Sequence, residues 1–477
     1  MTDYQKMFIA GKWRKSEKSE RVINPYNGET ITEIAVAQDK DAEDATAAAV
    51  DVSETMKKMP SYKRSEILMN IVKELKSRRK ELVEIMAVDA GRPVSISEVE
   101  LDRSFHTFTT GAEESKRIGG EVIPMDVVKT GVGYYAMTKR FPVGPVLGIT
   151  PFNFPLNLLA HKLAPAIASG CPLVVKAPPQ APLTAHILGE IVESAGLPEG
   201  AYSVFHCSVS TAEKLVTDER YRMVSFTGSP KVGWHIRSIA GTKKVLLELG
   251  NNSAAIVHND TASLLHTADR CALGGYGAAG QSCVSVQRLF VHEEIIEEFK
   301  ELFLKSIANL KVGDPMDPDV IVGPLIDETS ADRIEAWLKE ASEGNAKILT
   351  GGARHGLVIE PALLTDTTPE MNVNAEEIFG PVVTLTPYSD FKDAVRRANT
   401  TRFGLQAGIF TQDISNILYA FENFDMGGIV VNDYPTFRID HMPYGGIKDS
   451  GLGREGLRYA IEEMTEMKIL IINNPES

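Results

Sequence analysis

The sequence predicts an α/β fold in which parallel sheets carry helices on both faces. Three observations favour this class. From residue 142 onward, short apolar segments alternate with longer segments of helical period. A second series of the same kind begins near residue 251. No internal repeat and no low-complexity segment interrupts this alternation, which argues against a solenoid and against a disordered region.

The region before residue 142 predicts strands, helices and a hairpin. Residues 8–33 favour short strands, because Asn24-Pro25 and Gly28 mark turns between them. Ala-rich or helically spaced apolar segments predict helices over 41–59, 63–90 and 97–117. Residues 121–140 are rich in Val, Thr and Tyr and lack helical period, so they predict a hairpin that projects between two compact regions.

The two α/β series supply the remaining elements. Strands are predicted at 146–149, 173–176, 202–205, 223–226, 254–257, 288–291 and 427–431. Helices are predicted at 161–169, 183–195, 210–216, 232–240, 262–279, 293–310 and 330–342. A last apolar strand at 468–473 would expose an unpaired edge, so we expect the hairpin or another subunit to pair with it.

Length, composition and charge indicate an ordinary enzyme. The 477 residues are 43% hydrophobic and 24% charged, and they suggest about three domains. The net charge of −14 argues against binding to nucleic acid or to anionic membranes. No apolar run approaches the roughly 20 residues of a spanning helix, and no signal-peptide core is visible. We therefore expect a cytoplasmic protein.

The four cysteines indicate reactivity more than cross-linking. Cys171, Cys207, Cys271 and Cys283 are too few for a disulfide framework in so long a chain. They show no zinc-ligand spacing, so no metal site is expected. Cys283 ends the small-residue segment GYGAAGQSC, whose turn would expose the thiol as a nucleophile. The alternative is that Cys283 is one more small buried hydrophobe.

Polar residues that follow predicted strands are further candidates. Glu248 ends an apolar strand before Gly250 and could act as a general base; a solvated strand-end glutamate is the alternative. Asn153 lies between two prolines after a strand, and it is either an oxyanion donor or a turn former. Ser229-Pro230 begins a helix whose N-terminal N–H groups could bind a phosphate. Lys176 lies at a strand end and is either a cofactor ligand or a solvated lysine.

The motifs together resemble the aldehyde dehydrogenase superfamily from residue 8 to residue 473. The matching segments, in order, are PFNFP (151–155), VVKAP (174–178), FTGS (226–229), LELG (247–250), GQSC (280–283), EEIFGP (376–381) and GGIKDSGLGREG (445–456). This resemblance implies a Rossmann-like cofactor domain (1–120 and 142–250), an α/β catalytic domain (251–448) and an oligomerisation arm (121–141 and 464–477). It also implies a homodimer or homotetramer in which the arm completes a neighbour's sheet.

The resemblance further implies roles for individual residues. Cys283 would attack the aldehyde, Asn153 and the Cys283 N–H would form the oxyanion hole, and Glu248 would activate water to hydrolyse the thioester. Lys176 and Ser229 would hold the cofactor's ribose and pyrophosphate, while Glu377 would hold the nicotinamide ribose with Phe379 against the ring. The other implied cofactor residues are Pro151, Phe152, Pro179, Gly228, Gly233 and Leu249.

Two positions depart from the family pattern. Pro179 occupies the place where NAD-selective members often carry a glutamate that binds the adenosine ribose. Without that carboxylate, NADP is not repelled, so we expect both NAD and NADP to be used. Asn251 follows Gly250 where a second glycine is usual, and the sequence offers no functional reason for it.

The substrate is expected to be a small polar or anionic aldehyde. Phe154, Leu158 and His161 share one helix face if a helix starts near residue 154, and the family's substrate tunnel lies on that face. A second segment, matching the substrate-anchoring loop, carries Phe437, Arg438 and His441. His161, Arg438 and His441 would supply cationic donors.

Arg438 has an alternative role in a salt bridge with Asp440 or Asp433. The loop over 434–442 and the Cys283 segment look most like the lactaldehyde dehydrogenase-like branch, which is close to enzymes for phosphonate-, sulfonate- and phosphate-bearing aldehydes. Two other functions stay open: a CoA-acylating enzyme, which generally lacks the glutamate base, and a non-catalytic cofactor-binding protein. The presence of Glu248, Cys283 and Asn153 argues against both.

Overall fold

The computed structural model describes residues 6–474, and it has the α/β architecture that the sequence predicts. A ten-stranded sheet, a seven-stranded sheet and a three-stranded sheet organise the chain, with two further strand pairs. Residues 1–5 and 475–477, which belong to the predicted cofactor domain and arm, lie outside the described residues. The domain boundaries given above stay a prediction.

The strands are short, and the longest have nine residues. In chain order they are β1 (Lys6–Ile9), β2 (Lys12–Lys15), β3 (Ser19–Ile23), β4 (Thr30–Ala37), β5 (Val122–Ile123), β6 (Tyr134–Pro142), β7 (Val146–Ile149), β8 (Leu173–Lys176), β9 (Tyr202–Cys207), β10 (Met223–Thr227), β11 (Lys244–Glu248), β12 (Ala254–Val257), β13 (Arg288–His292), β14 (Lys311–Val312), β15 (Val320–Val322), β16 (Lys347–Thr350), β17 (Arg354–His355), β18 (Val358–Ile359), β19 (Ala362–Thr365), β20 (Val382–Tyr388), β21 (Gln406–Phe410), β22 (Gly428–Val431), β23 (Gly451–Leu452) and β24 (Thr465–Asn473).

The helices cover the faces of the two large sheets. In chain order they are α1 (Asp39–Lys58), α2 (Ser61–Ser77), α3 (Arg79–Asp89), α4 (Val94–Glu114), α5 (Asn157–Ser169), α6 (Leu183–Ser194), α7 (Val209–Thr217), α8 (Pro230–Ile239), α9 (Leu264–Tyr276), α10 (Ile296–Ala308), α11 (Glu328–Glu343), α12 (Asn372–Ala375), α13 (Phe391–Asn399), α14 (Ile414–Asn423) and α15 (Leu457–Glu463). Within residues 6–474, none of them is long and apolar enough to cross a membrane.

The first large sheet brings four of the sequence motifs to one edge. Its order is β2-β1-β9-β8-β7-β10-β11-β23, and β7 pairs in parallel with both β8 and β10. The carboxyl ends of β7, β8, β10 and β11 therefore lie side by side. Pro151, Lys176, Gly228 and Glu248 stand at or just beyond these ends, where α/β proteins bind ligands.

The second large sheet has the order β16-β19-β20-β13-β12-β21-β22. Its strands from β19 to β22 run parallel, and β16 is antiparallel. The sequence predicted β12, β13 and β22 but left β16, β19, β20 and β21 unassigned, together with helices α13 and α14. The seven ordered motifs, not a complete element assignment, therefore carried the prediction of the fold.

The small sheet confirms one of the two expected partners of the C-terminal strand. β24 pairs antiparallel with β6 from Thr465↔Pro142 to Asn473↔Tyr134, and β5 pairs with the other side of β6. The apolar residues Ile469, Leu470, Ile471 and Ile472 nevertheless remain about half exposed. This sheet therefore presents an uncovered apolar surface to the surroundings of the chain.

The single helix predicted over 63–90 is in fact two helices. The chain leaves helical geometry at Arg78, whose φ and ψ are −105° and 21°. Its guanidinium forms ion pairs with Glu81 and with Glu190, both at 2.7 Å. Neither Gly nor Pro marks the break, so the apolar spacing continues across it and the sequence predicts one helix.

Candidate active site

Cys283 lies in a loop that a tight turn places against the second sheet. Helix α9 ends at Tyr276, earlier than the predicted 279, because Ala278 and Ala279 adopt left-handed φ values of 50° and 56°. Gly280 follows at φ 68°, and a Cβ there would stand 2.2 Å from the Gly380 carbonyl oxygen. The small residues that the sequence singled out are therefore required by this close approach.

The Cys283 thiol stands on the wall of a cavity of about 390 Å³. Its sulfur lies 3.1 Å from the hydroxyl of Tyr444. Burial raises the pKa of the Cys283 thiol to about 12, against the lowering effect of the Tyr444 hydrogen bond and of Arg438. The thiol is thus open to a ligand in the cavity but needs stabilisation to ionise.

Glu248 is buried next to Gly445, the residue that follows the cavity-lining Tyr444, although Glu248 itself is not on the cavity wall. Its side chain ends β11 and is 3% exposed, and within residues 6–474 neither carboxyl oxygen has a hydrogen-bond partner. Burial, followed by the charge of Glu455, raises the pKa of Glu248 well above its ordinary value. The charge of Glu248 also raises the pKa of Cys283. The alternative of a solvated strand-end glutamate is therefore wrong.

A buried ion pair lies behind Glu248. The Nζ of Lys162 is 3.5 Å from Glu455, and both side chains are fully buried. Lys162 also donates to the hydroxyls of Ser225 and Thr227, at 3.0 and 2.8 Å. The charge of Lys162 lowers the pKa of Glu248 and opposes the effect of Glu455. Charges of both signs therefore act on Glu248: Glu455 raises its pKa, and Arg438, Lys162 and Arg454 lower it.

The Asn153 amide is directed at the cysteine loop. Its Nδ2 donates to the carbonyl oxygen of Gln281 at 3.1 Å, and the side chain is buried. The backbone carbonyl of Asn153 accepts a short hydrogen bond from Arg92. Arg92 in turn pairs with Glu100 at 2.7 Å, and Glu100 accepts from the backbone N–H groups of Leu156 and Asn157. The turn that follows β7 is therefore held by a buried ion pair.

Two of the ten residues predicted for the cofactor, Ser229 and Glu377, line a second cavity. Ser229 is the N-cap of α8, and Pro230 occupies the first helical position. Ser229, Pro230 and Glu377 line a cavity of about 330 Å³. Within the described residues the Ser229 side chain makes no capping hydrogen bond, so the helix N-terminus can bind a phosphate. Lys176 ends β8, in the first large sheet, which also contains β10, the strand that precedes Ser229. Burial lowers the pKa of the Lys176 ammonium.

Glycines let the cofactor residues approach one another. A Cβ at Gly233 would stand 2.4 Å from Leu249, and a Cβ at Gly250 would stand 2.1 Å from a carboxyl oxygen of Glu377. At Gly228 a Cβ would meet the ring of Phe226 at 2.6 Å. The Glu377 carboxylate accepts the N–H of Asn251 at 2.9 Å. These three positions therefore require glycine, because neighbouring side chains pack directly against the backbone there.

The side chain of Asn251 has a structural use that the sequence did not reveal. Its amide donates to the Ser253 hydroxyl at 2.7 Å and to the Gln406 carbonyl at 3.1 Å. Asn251 thereby joins the segment before β12 to β21. The side chain that replaces the usual glycine hydrogen therefore links two strands. The contact with Glu377 is made by the backbone N–H of Asn251 and does not need the side chain.

The remaining predicted cofactor residues are not among those that line the second cavity. The rings of Phe152 and Phe379 meet edge to face with centroids 5.9 Å apart. Phe379 adopts a left-handed φ of 48° directly before Gly380. Pro151 precedes Phe152 after β7, and Pro179 is exposed beyond β8.

Four of the six predicted substrate residues line the cysteine cavity, and two do not. Phe154, Leu158, Phe437 and Arg438 are on its wall. Phe154 precedes α5, which begins at Asn157, so it reaches the cavity from the turn rather than from a helix face.

His161 and His441 are the two corrections. His161 is buried behind the wall, where its Nε2 lies 2.8 Å from the Asp440 carboxylate. Burial lowers the pKa of His161, and the charge of Arg438 lowers it further. His441 is exposed and is not among the residues that line the cavity. The prediction of three cationic donors on the cavity wall is therefore wrong at both histidines. His161 is directed from helix α5 toward Asp440 instead, and His441 lies outside the residues that line the cavity.

Arg438 combines the two roles that the sequence left open. It is 3.3 Å from Glu455 and 3.9 Å from Asp440, while Asp433 pairs instead with Arg270. Its guanidinium also lies over the ring of Tyr444, 3.8 Å from the centroid. Arg438 is thus held in buried ion pairs and still lines the cavity.

Sequence reasoning missed several residues on the cavity wall. Arg92 and Arg103 come from the α3–α4 region, and Tyr434 and Tyr444 come from the segment after β22. Arg103 pairs with Asp440 at 2.8 Å and remains partly exposed to the cavity. Tyr444 had one available signal, since it directly precedes the matched Gly445-Gly446 pair. Arg92 and Arg103 had none.

A profile of the Aldehyde dehydrogenase family matches residues 13–470, and the chain belongs to this family. It is an NAD(P)-dependent aldehyde dehydrogenase and oxidises aldehydes. It is 41% identical to the 3-sulfolactaldehyde dehydrogenase of Priestia aryabhattai over 98% of both chains. It is 39% identical to the lactaldehyde dehydrogenase of Methanococcus aeolicus, over 98% of this chain and 100% of that one. The resemblance to the lactaldehyde dehydrogenase-like branch is confirmed.

Solved structures agree with the fold. Aldehyde dehydrogenase 21 from Physcomitrella patens, in complex with the reaction product succinate, matches with a TM-score of 0.97 and 44% identity over 99% of this chain and 98% of that chain. Glyceraldehyde-3-phosphate dehydrogenase from Methanocaldococcus jannaschii, complexed with NADP, matches with a TM-score of 0.92 and 40% identity. That match covers 96% of this chain and 100% of the other.

Proposed function

We propose that the protein oxidises a small hydroxy or anionic aldehyde to its carboxylic acid through a cysteine thioester that water hydrolyses. One observation carries this proposal: the Cys283 thiol lines a cavity with Tyr444, and the buried carboxyl of Glu248 lies next to Gly445, without a hydrogen-bond partner in residues 6–474, where its charge acts on that thiol. A nucleophile and a base so placed can act in turn on one carbonyl carbon. The presence of Glu248 favours hydrolysis over acyl transfer to CoA.

In the first half of the reaction, Cys283 attacks the aldehyde as a thiolate, after its proton has passed to solvent. A bond forms between Sγ and the carbonyl carbon, and the π electron pair of the carbonyl moves to its oxygen. One N–H of the Asn153 amide donates to the Gln281 carbonyl oxygen. The second N–H, together with the backbone N–H of Cys283, stabilises that oxyanion. The oxyanion electron pair then re-forms the C=O bond while the C–H bond breaks and its electron pair leaves as hydride, which yields the thioester. NAD(P), when bound, would supply the hydride acceptor.

In the second half, Glu248 takes a proton from water. The resulting hydroxide oxygen bonds to the thioester carbonyl carbon, the C–S bond breaks, and its electron pair leaves with the Cys283 sulfur. A raised pKa suits Glu248 to this role, because a general base works best when its pKa lies near the operating pH. The acid product is then released and Glu248 loses its proton to solvent.

Two arginines support an anionic substrate. Arg438 and Arg103 both line the cavity, and each shares Asp440 as an ion-pair partner. Three of the proteins compared above are named for, or bound to, small anions: sulfolactaldehyde, glyceraldehyde 3-phosphate and succinate. A sulfonate, phosphate or carboxylate at the far end of the aldehyde would therefore meet charge-assisted donors.

Arg438→Gln should reduce kcat/KM for succinic semialdehyde about a hundredfold more than for butanal, which lacks the distal charge. A charge-assisted hydrogen bond contributes roughly 1.5–3 kcal/mol, and about 2.7 kcal/mol corresponds to this factor. The measurement is steady-state NAD(P)H absorbance with both aldehydes. Because a distorted site would affect both substrates alike, the ratio isolates the charge. Arg270→Gln, whose arginine pairs with Asp433 outside the cavity wall, is the control, and an unchanged ratio in Arg438→Gln would refute anion binding there.

Dual cofactor use is proposed from Pro179. The residue is exposed beyond β8, and it can neither accept a hydrogen bond from the adenosine ribose nor repel a 2′-phosphate. We expect NAD and NADP to have KM values within about a hundredfold of each other, the scale of a 2–3 kcal/mol difference.

Pro179→Glu should move the cofactor preference toward NAD. The new carboxylate accepts ribose hydroxyls and repels the 2′-phosphate, so the NADP-to-NAD ratio of kcat/KM should fall by about tenfold or more. Both cofactors are measured with one saturating aldehyde, and Pro178→Ala, one residue nearer the strand, serves as the control. The absence of any NADP activity in the wild-type enzyme would contradict the proposal.

A homodimer or homotetramer is proposed from the three-stranded sheet. β24 forms a nine-residue ladder with β6 and leaves four consecutive apolar side chains about half exposed. Such an apolar edge is covered in the assembled form of a protein that does not aggregate. Sedimentation of the full chain tests this expectation.

The function as a whole is tested by following NAD(P)H absorbance with a panel of small aldehydes and both cofactors. Formation of reduced cofactor without CoA supports the hydrolytic enzyme. A strict requirement for CoA would support the acylating alternative, and cofactor binding without turnover would support a non-catalytic protein.

A further inference from the structure

Tyr444 places a hydroxyl directly on the sulfur of Cys283. The two atoms are 3.1 Å apart, and Tyr444 is 4% exposed. The reaction described above uses Cys283, Glu248 and Asn153 and assigns no role to this hydroxyl. Placing a phenol rather than a plain ring against a sulfur atom costs free energy unless the hydroxyl is hydrogen-bonded.

The position of the hydroxyl is held from two sides. The backbone of Tyr444 exchanges hydrogen bonds with Glu455, at 3.1 Å for its N–H and 2.7 Å for its carbonyl. The guanidinium of Arg438 lies over the ring, 3.8 Å from its centroid. A cation over the ring face draws electron density from the phenol, which makes its O–H a stronger donor.

The protonation states assign the direction of the hydrogen bond. Burial raises the pKa of Tyr444 well above its ordinary value, so the phenol keeps its proton. A Cys283 thiolate can only accept, and Tyr444 must then donate. The other charged groups that act on the thiol are Glu377 and Glu248, which disfavour the thiolate, and Arg438, which favours it.

We propose that Tyr444 is a catalytic residue, whose hydroxyl donates a hydrogen bond to the Cys283 sulfur and stabilises the thiolate that attacks the aldehyde. The hydrogen bond transfers no proton and forms no covalent bond. The same contact stabilises the sulfur when it leaves the carbonyl carbon during hydrolysis of the thioester. The inference rests on the proposed role of Cys283 as the nucleophile.

The test compares wild-type enzyme, Tyr444→Phe and Tyr276→Phe, all as full-length chains. Tyr276→Phe is the matched control, because it removes another buried tyrosine hydroxyl, one bonded to the Ala362 carbonyl at 3.1 Å, from the helix that leads to Cys283. Iodoacetamide alkylation of Cys283 is followed by mass spectrometry between pH 7 and pH 9, in parallel with loss of activity.

Tyr444→Phe should alkylate about tenfold more slowly than the wild-type enzyme at each pH, because loss of a hydrogen bond to a charged group raises a pKa by about one unit. Its kcat/KM should fall by a similar factor, and both the burst and the steady state should slow. Tyr276→Phe should keep the wild-type alkylation rate at each pH.

The outcomes separate the two proposals. If complete alkylation of Cys283 leaves the wild-type enzyme active, the proposed function fails. If alkylation inactivates the wild-type enzyme but Tyr444→Phe matches it in both alkylation rate and kcat/KM, the role of Tyr444 alone is overturned. Equal slowing in Tyr276→Phe would also overturn it, because the effect would then belong to packing and not to the sulfur contact.

Discussion

Cys283→Ser should lose at least about 10⁴-fold in kcat while it still binds the cofactor. The serine hydroxyl ionises far less readily than the thiol. Burial, which already raises the pKa of Cys283, would disfavour the serine alkoxide as well. Among the described residues, Cys283 is not one of those that line the cavity formed by Ser229 and Glu377, so the substitution leaves that lining intact. Turnover is measured by NAD(P)H absorbance, and cofactor binding by isothermal titration of the same preparation.

The control for this prediction is another cysteine of the same region. Cys271 lies on α9, two turns before the cysteine loop, and its side chain is fully buried. Cys271→Ala should retain wild-type kcat within a few-fold, although removal of a buried sulfur lowers stability by about 1–2 kcal/mol. Cys171→Ala and Cys207→Ala should behave in the same way. Near-wild-type turnover in Cys283→Ser would show that Cys283 is not the nucleophile.

Glu248→Gln should lower the steady-state kcat by about 10²–10⁴-fold, the usual contribution of a general base. Glutamine keeps the shape of the side chain but cannot take a proton from water. Thioester formation does not need this base, so one equivalent of reduced cofactor per active site should still form rapidly. Stopped-flow absorbance should therefore record a burst followed by a slow phase.

Hydroxylamine makes this test sharper, because it attacks a thioester without a protein base. Its addition should accelerate the slow phase of Glu248→Gln and barely change the wild-type enzyme. Glu190→Gln, which removes a carboxylate paired with Arg78 at 2.7 Å, is the control and should show wild-type turnover. An unchanged steady state in Glu248→Gln, or a burst that disappears, would mean that Glu248 is not the base for hydrolysis.

Much of the fold was predictable because its signals are local. Alternating apolar and amphipathic segments predicted β7 to β10 to within two residues at each end, since strand length and helix period are properties of short windows. The helix over 63–90 was predicted as one piece because nothing in its sequence marks the break at Arg78. The strands β19 to β21 were not predicted, although they complete the second sheet.

The sequence by itself determined the family and the oxidation of an aldehyde, and it supplied the candidate residues Cys283, Glu248 and Asn153. Each of the three sits in a short motif whose neighbours explain it: a small-residue turn, a strand end before glycine, and a turn between prolines. Such motifs need no knowledge of distant segments. Even the requirement for Gly280 follows the same local pattern, and the structure adds only the carbonyl that a side chain would strike.

Only the tertiary structure decided which side chains face the substrate cavity. His161 and Asp440 are 279 positions apart in the chain, and their contact at 2.8 Å removes the histidine from the cavity wall. Arg103 and Tyr444 also reach that wall from distant segments, and Tyr444 is 161 positions from Cys283. Whether a polar side chain binds a ligand or pairs inside the protein depends on its partners in space. Sequence spacing specifies the face of one element, but not which other element packs against that face.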